Sequence, residues 1–236
     1  QLSLLNQRHK QDFDFDSHDL YLYLTTTNYK ADQVNQNFLA KLSGKRYTFT
    51  GYQEGDFDKK VAPTAETLEL KIGAQVMLIN NDKAGRWVNG SIGKVEDIIE
   101  LGPGKDIIIV ELEDGNLVEV LPYTWEMYKF LYNPATDKLQ AESVGSYTQY
   151  PLILSWAITI HKSQGKTFDK VVIDFGWGTF AHGQAYVALS RCRNLEGIVL
   201  SKPFQERHII TDKRISQFFA EHDFSKDPWQ LFDQDK

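Results

Sequence analysis

Cysteine is close to absent from this chain, and several classes of chemistry go with it. Cys192 is the only one, so no intramolecular disulfide and no all-cysteine metal site can form within one chain. It reads as a small buried filler. The six histidines include no His-x-x-x-His pair and no Cys/His cluster at zinc spacing, so no protein-borne metal is expected. No apolar run approaches the roughly 20 residues that span a bilayer, and no basic start leads through an apolar stretch to a small-residue cleavage site. The expectation is a cytoplasmic chain with no membrane partner. A phosphate loop of the form Gly-x-x-x-x-Gly-Lys-[Ser/Thr] is missing too. Gly165-Lys166-Thr167 imitates its end, but Ile160 stands where the first glycine is required.

With 236 residues, 42% of them hydrophobic, the chain is long enough for one large domain or for a medium domain carrying a small insertion. Its net charge of −6 argues against a general polyanion binder, because nucleic-acid affinity comes largely from lysines and arginines that displace counterions. The charge is unevenly spread. Residues 151–214 hold nine Lys or Arg against five Asp or Glu, residues 1–150 hold 15 against 22, and the tail from Ile215 holds two against five. Basic charge collects in one stretch.

Residues 1–19 are polar and read as a loosely held lead-in with no assigned function. Leu20 to Thr27 predicts a buried strand, and Val34, Phe38 and Leu42 then recur at four-residue spacing, as on one helix face. Asn28 lies at the junction, where its side chain can cap the helix and the free N–H groups of the first turn can hold an anion. From about Leu68 short apolar alternations broken by turn signals predict small all-β structure. Asp114-Gly115, between Asp106–Leu112 and Leu117–Leu121, is a hairpin signal that suits a primed turn with positive φ. A compact barrel of about five strands fits residues 67–148. Further on, Pro151–Leu154 predicts a strand, Ser155 a cap for a short helix ended by Gly165, Val171–Asp174 a central strand, Ala181–Ser190 a helix, and Gly197–Ser201 a strand. Alternating strand and helix point to a parallel α/β sheet.

Two polar, basic segments interrupt this buried pattern. Thr159–Gly165 reads TIHKSQG, and Tyr186–Arg191 reads YVALSR, with the apolar strand between them. In order and separation they resemble the fifth and sixth motifs of superfamily-one DNA helicases, in the branch of Pif-type and RecD-like enzymes. Thr27-Asn28 followed by Ala31-Asp32 and Asn35 is similar to the family's fourth motif. The resemblance implies an α/β fold: a RecA-like, P-loop NTPase-type second motor domain, in parts 1–66 and 149–236, interrupted by a small SH3-like β-barrel at 67–148. Gly73–Leu78 and Trp87–Gly93 look like the beginning of that barrel.

The same resemblance implies roles. Arg191 would be the catalytic arginine finger, reaching the γ-phosphate of ATP and neutralising charge that grows during phosphoryl transfer; a guanidinium at a helix end otherwise complements the macrodipole and satisfies carbonyls. Gln164 and Gly165 would join it on the ATP side, while Thr27, Asn28, Thr159, His161 and Ser163 would lie against single-stranded DNA. His161 is not expected to act as a general base, since the family's catalytic carboxylate lies in the other motor domain. Arg193 is expected to be structural, because residues two apart on a helix do not share a face. Lys83, Arg86 and Trp87 are expected to form an ordinary loop with a half-buried Trp. Val171–Asp174 ends in an acid but lacks the neighbouring acid of a helicase magnesium motif. ATP and Mg2+ would therefore be bound in the complete enzyme, between this part and an N-terminal RecA-like domain of the same polypeptide, and neither by this chain alone. Nucleoid association and 5′ to 3′ translocation are implied by resemblance only. The alternatives are a non-catalytic single-strand-binding or protein-docking module, and an RNA-directed or replication-initiator relative.

Overall fold

The computed structural model describes residues 2–11, 13, 20–133 and 137–221. Along the chain run α1 (Leu2–Asn6), β1 (Leu22–Thr25), α2 (Asn28–Lys41), β2 (Tyr47–Thr50), β3 (Tyr52–Gly55), β4 (Thr67–Leu70), β5 (Gln75–Leu78), β6 (Ile92–Ile99), β7 (Ile107–Leu112) and β8 (Leu117–Val120). They are followed by β9 (Tyr123–Asn133), β10 (Lys138–Gln149), β11 (Leu152–Leu154), β12 (Ala157–Thr159), β13 (Val171–Asp174), α3 (Gln184–Leu189), β14 (Ile198–Leu200) and α4 (Lys213–Glu221). The chain divides into two compact units: a smaller one of Gln1–Phe13, Leu24–Thr26 and Thr159–Lys236, and a larger one of Asp14–Tyr23 and Thr27–Ile158.

The larger unit is built on a five-stranded sheet in the order β11-β5-β6-β7-β8, a three-stranded sheet β3-β10-β9 and a pair β2-β4. Alternation in β7 and β8 turns Ile108, Val110, Leu112, Val118 and Val120 inward, as a sheet with one solvated face requires. The Asp114-Gly115 hairpin forms, but as a wider turn than the two-residue primed loop. Glu111 pairs with Leu117, Leu112 and Asn116 close the loop through Leu112 N–H to Asn116 O (2.9 Å), and only Gly115 has positive φ (+82°). A three-residue loop with glycine in the left-handed position satisfies the strand twist equally well.

Helix α2 is capped by Thr27, whose Oγ1 accepts the Lys30 N–H (3.3 Å); Asn28, expected as the cap, is instead the first helical residue. Ala31, Asn35 and Leu39 form its buried stripe. The expected face of Val34, Phe38 and Leu42 is partly buried against the same core, which also holds Phe49, Leu70, Val76, Ile108, Leu152 and Trp156. Phe38 stacks on Trp156 at 5.6 Å. This shared core draws in elements from both sides of residues 67–148: β2, β3 and β11, outside that range, pair with β4, β10 and β5. Trp87 is buried, with its indole N–H on Asn80 Oδ1 (3.0 Å), and Arg86 lies over its ring and forks onto Asp82. It offers no half-exposed stacking face.

A four-stranded sheet has the order β12-β1-β13-β14; its strands β13 and β14, in the smaller unit, are parallel in the register Val171↔Ile198. Both of these strands are buried along their whole length, the pattern of a parallel sheet. The expected helix from Ser155 is absent. β12 and a run of turns take its place, because Ala157, Ile158, Thr159 and Ile160 are all buried, a continuous apolar and β-branched run that suits a strand. Residues 2–10 are not loosely held. Asn6 exchanges two side-chain hydrogen bonds with the backbone of Phe204, and the backbone of Arg8 and Lys10 pairs with Leu200 on the far side of β14. Residues 12 and 14–19 of that segment lie outside the described residues. Helix α3 begins three residues later than expected, since Gly183 sits at φ +70° and gives its N–H to Ile210 O (3.0 Å). Cys192 is half-buried rather than buried.

Candidate nucleotide and nucleic-acid site

The TIHKSQG segment leaves β12 as a tight succession of turns. Thr159 Oγ1 accepts the Lys162 N–H (3.3 Å), Thr159 O accepts the Ser163 N–H (3.1 Å), His161 O accepts the Gln164 N–H (3.1 Å), and Ser163 O accepts the Lys166 N–H (3.1 Å). Gly165 closes the run at φ +78°, a conformation that costs glycine nothing. The folding of this turn sorts its side chains. Thr159 and Ser163 are buried, and the Ser163 hydroxyl is spent on Ile160 O (2.6 Å). His161, Lys162 and Gln164 are exposed. Lys162, which the motif resemblance leaves without a role, is an exposed cation next to His161. Burial pushes the Lys166 ammonium below its usual range.

Arg191 follows the short helix α3, and its guanidinium ties the two motifs together. Nε donates to Val187 O (2.9 Å), Nη1 to Lys166 O (2.8 Å) and Ser163 O (3.3 Å), and Nη2 to Ser190 Oγ (2.8 Å). The planar fork thus satisfies carbonyls of the last helical turn and of the TIHKSQG turn together. The backbone continues the junction, with Phe168 N–H on Arg191 O (2.8 Å) and Arg193 N–H on Phe168 O (3.1 Å). Arg193 has the structural part expected of it, an exposed ion pair with Asp169 (3.0 Å). Gln164, Gly165, Thr159, His161, Ser163 and Arg191 therefore belong to one local structure.

Thr27 and Asn28 belong to the larger unit. Both are exposed, as are Tyr29 and Lys30, and the first turn of α2 has no acidic residue, so its free N–H groups are open to an anion. Asn35 is the residue whose part the sequence did not reveal. Its amide accepts the Ala157 N–H (2.8 Å) and donates to Ala157 O (2.8 Å) and Leu154 O (3.3 Å), fixing the chain where β12 begins. The available signal was a lone amide in the apolar stripe of a helix. Among the described residues no group of three or more His, Cys, Asp or Glu side chains could hold a metal, and no helix is long and apolar enough to cross a membrane.

The herpes helicase family model, described as Helicase, matches residues 128–223. An ATP-dependent DNA helicase Pif1 from Bdellovibrio bacteriovorus is 35% identical over 218 residues, covering 90% of this chain and 46% of the relative. The chain belongs to the Pif1-type branch of the superfamily-one helicases. A crystal structure of Pif1 from Bacteroides sp. in complex with ADP-AlF4 matches with a TM-score of 0.81 and 32% identity, over 93% of this chain and 49% of that one. The Bacteroides Pif1 bound to single-stranded DNA matches with a TM-score of 0.69 and 33% identity, over the same shares. The chain spans about half the length of these Pif1 relatives.

Proposed function

We propose that the chain is the C-terminal motor portion of an ATP-dependent DNA helicase that moves 5′ to 3′ along single-stranded DNA and separates duplex. The observation that carries this reading is the Arg191 junction: one guanidinium holds the end of α3 and the Ser163–Lys166 turn. A phosphate that draws Arg191 away from those carbonyls also releases the turn that presents His161 and Lys162. Nucleotide state and grip on a strand then share one set of hydrogen bonds.

In this reading ATP lies against Gln164, Gly165 and Arg191. The phosphate loop, the magnesium-binding acid and the catalytic carboxylate come from an N-terminal RecA-like domain of the same polypeptide. Alone, in this reading, the chain holds no magnesium and neither hydrolyses ATP nor unwinds. Arg191 exchanges its bonds to Ser163 O and Lys166 O for γ-phosphate oxygens, where a planar, permanently charged fork neutralises the charge that grows in transfer. His161 meets the strand directly, and Thr159 and Ser163 act from beneath by holding the turn. Thr27 and Asn28 offer a second phosphate the free N–H groups of α2. Contacts to phosphate and sugar give little sequence preference. In this reading residues 67–148 form the SH3-like insertion that the resemblance implies. Support comes from relatives of this family solved with ADP-AlF4 and with single-stranded DNA.

The test is DNA-stimulated ATP hydrolysis by the full-length native polypeptide, wild type against Arg191→Ala, at matched folding and DNA binding. Turnover should fall about 1,000-fold or more. Unchanged turnover removes the finger. A wild type with none favours the non-catalytic single-strand-binding or docking module.

A further inference from the structure

The smaller unit carries two large aromatic side chains in solvent, in the loop between β13 and α3. Trp177 is 99% exposed and Phe180 63% exposed, although rings of this size contribute most when buried. The loop that presents them is not slack. Gly176 N–H donates to Asp174 Oδ1 (2.8 Å), Gly178 N–H to Phe175 O (2.8 Å), Thr179 Oγ1 to His208 O (2.8 Å) and Phe180 N–H to the buried Gln184 Oε1 (3.0 Å). A loop fixed by three backbone N–H groups and one side-chain hydroxyl holds both rings out.

One ring has a cation beside it, and the other adjoins the TIHKSQG turn. The Phe180 ring lies 6.1 Å from the His161 imidazole. The Lys202 ammonium lies 5.6 Å from the Trp177 ring and donates to Gly176 O (3.2 Å). Residues 151–214 carry four more basic than acidic side chains. A surface that pairs cations with open aromatic faces matches a single strand, which offers phosphates on one side and unpaired base faces on the other. Double-stranded DNA hides those faces.

We propose that Trp177 and Phe180 form a base-stacking ledge for single-stranded DNA beside the backbone grip at His161. The ledge rests on the single-strand-binding reading above. Stacking on it is indifferent to base identity, since every base has a π-face, but it requires that a base be there.

Equilibrium binding of a labelled single-stranded oligonucleotide, and of the same strand carrying abasic sites, tests the ledge in the full-length native polypeptide. Trp177→Ala and Phe180→Ala should each weaken binding of the base-bearing strand about tenfold. Both should bind the abasic strand like the wild type, and the salt dependence should keep its slope, because no phosphate contact is lost. Trp177→Phe should restore most of the affinity. Equal losses on both strands, or no loss while the wild type binds, overturn the ledge and leave the helicase reading intact. Loss of DNA-stimulated turnover with unchanged affinity also overturns it, and makes the loop a contact for another protein domain. A wild type that binds no single strand removes both readings.

Discussion

The two units use buried polar side chains differently. In the larger unit Asn35, Gln75 and Gln149 are buried amides that clamp separate segments: Asn35 holds Ala157 and Leu154, Gln75 holds Tyr21 and Ser155, and Gln149 holds Phe49 and Glu66. Each sits against an extensive apolar core, where water cannot replace a lost partner. In the smaller unit the bonds within the TIHKSQG turn span a few residues, and Arg191, which donates to the turn from the other motif, is only half-buried. Solvent or a phosphate can take over its donors. Bonds individually worth about 1 kcal/mol net are easily exchanged at such an edge and costly to break in a core. The larger unit has the properties of a scaffold, whereas the bonds of Arg191 in the smaller lie where solvent can replace them.

The largest stability effect is therefore expected in the sheet core. Ile108→Ala, at a fully buried position of β7, should cost about 2–5 kcal/mol in urea unfolding. A loss below about 1 kcal/mol would break the comparison, because the scaffold would not depend on its core. Asn35→Ala comes next. It strands the N–H and C=O of Ala157, and an unsatisfied buried group costs about 1–3 kcal/mol. The same change at the exposed Asn28 should be almost silent in stability while weakening single-strand binding. An Asn28→Ala that unfolds the protein would place the helix-end residue in the scaffold after all.

Much of this architecture was legible because it rests on local signals. Buried runs such as Val171–Asp174 and Ile198–Leu200, the Asp114-Gly115 turn and the two motifs are each encoded within a few neighbours. What was missed depends on distant partners. The helix expected from Ser155 yields to a strand because its residues are buried by the fold, a tertiary effect that overrides a cap signal. The pairing of residues 8–10 with Leu200 joins opposite ends of the chain, and no periodicity near residue 9 announces it. The site residues were readable as types but not by which way they face: Ser163 and His161, two apart in one motif, lie on opposite sides of the turn's surface. Asn35 carried a signal only in being polar where its neighbours in the stripe are not.

A smaller effect is expected at His208, buried between Phe175 and Phe204. Its Nδ1 accepts the Gln205 N–H (3.3 Å), which requires that nitrogen unprotonated. Burial first, then the neighbouring Arg207, holds the imidazole below its ordinary value of 6.5. A group depressed in the folded state stabilises above its unfolded value, and that stability is lost as pH falls through the folded one. Urea midpoints should drop from pH 7 toward pH 5, and His208→Gln should flatten the drop. An equal decline in the variant would assign the acid sensitivity elsewhere.

The smallest effect should fall two residues from the largest catalytic one. Arg193 and Asp169 form a pair in which both side chains are more than half exposed, so water and salt screen it, and pairs of this kind contribute about 0–1 kcal/mol. Arg193→Ala should shift the unfolding free energy by less than about 0.5 kcal/mol and leave DNA-stimulated turnover unchanged. Arg191→Ala breaks bonds from one guanidinium to the Val187, Ser163 and Lys166 carbonyls and should remove turnover. If Arg193→Ala instead costs 2 kcal/mol or more, on the scale of a lost buried partner, the backbone bonds of Phe168 to Arg191 and Arg193 depend on the exposed pair. The junction would then be scaffold rather than a contact free to exchange, and Arg191 could not leave it for a phosphate without unfolding what it holds.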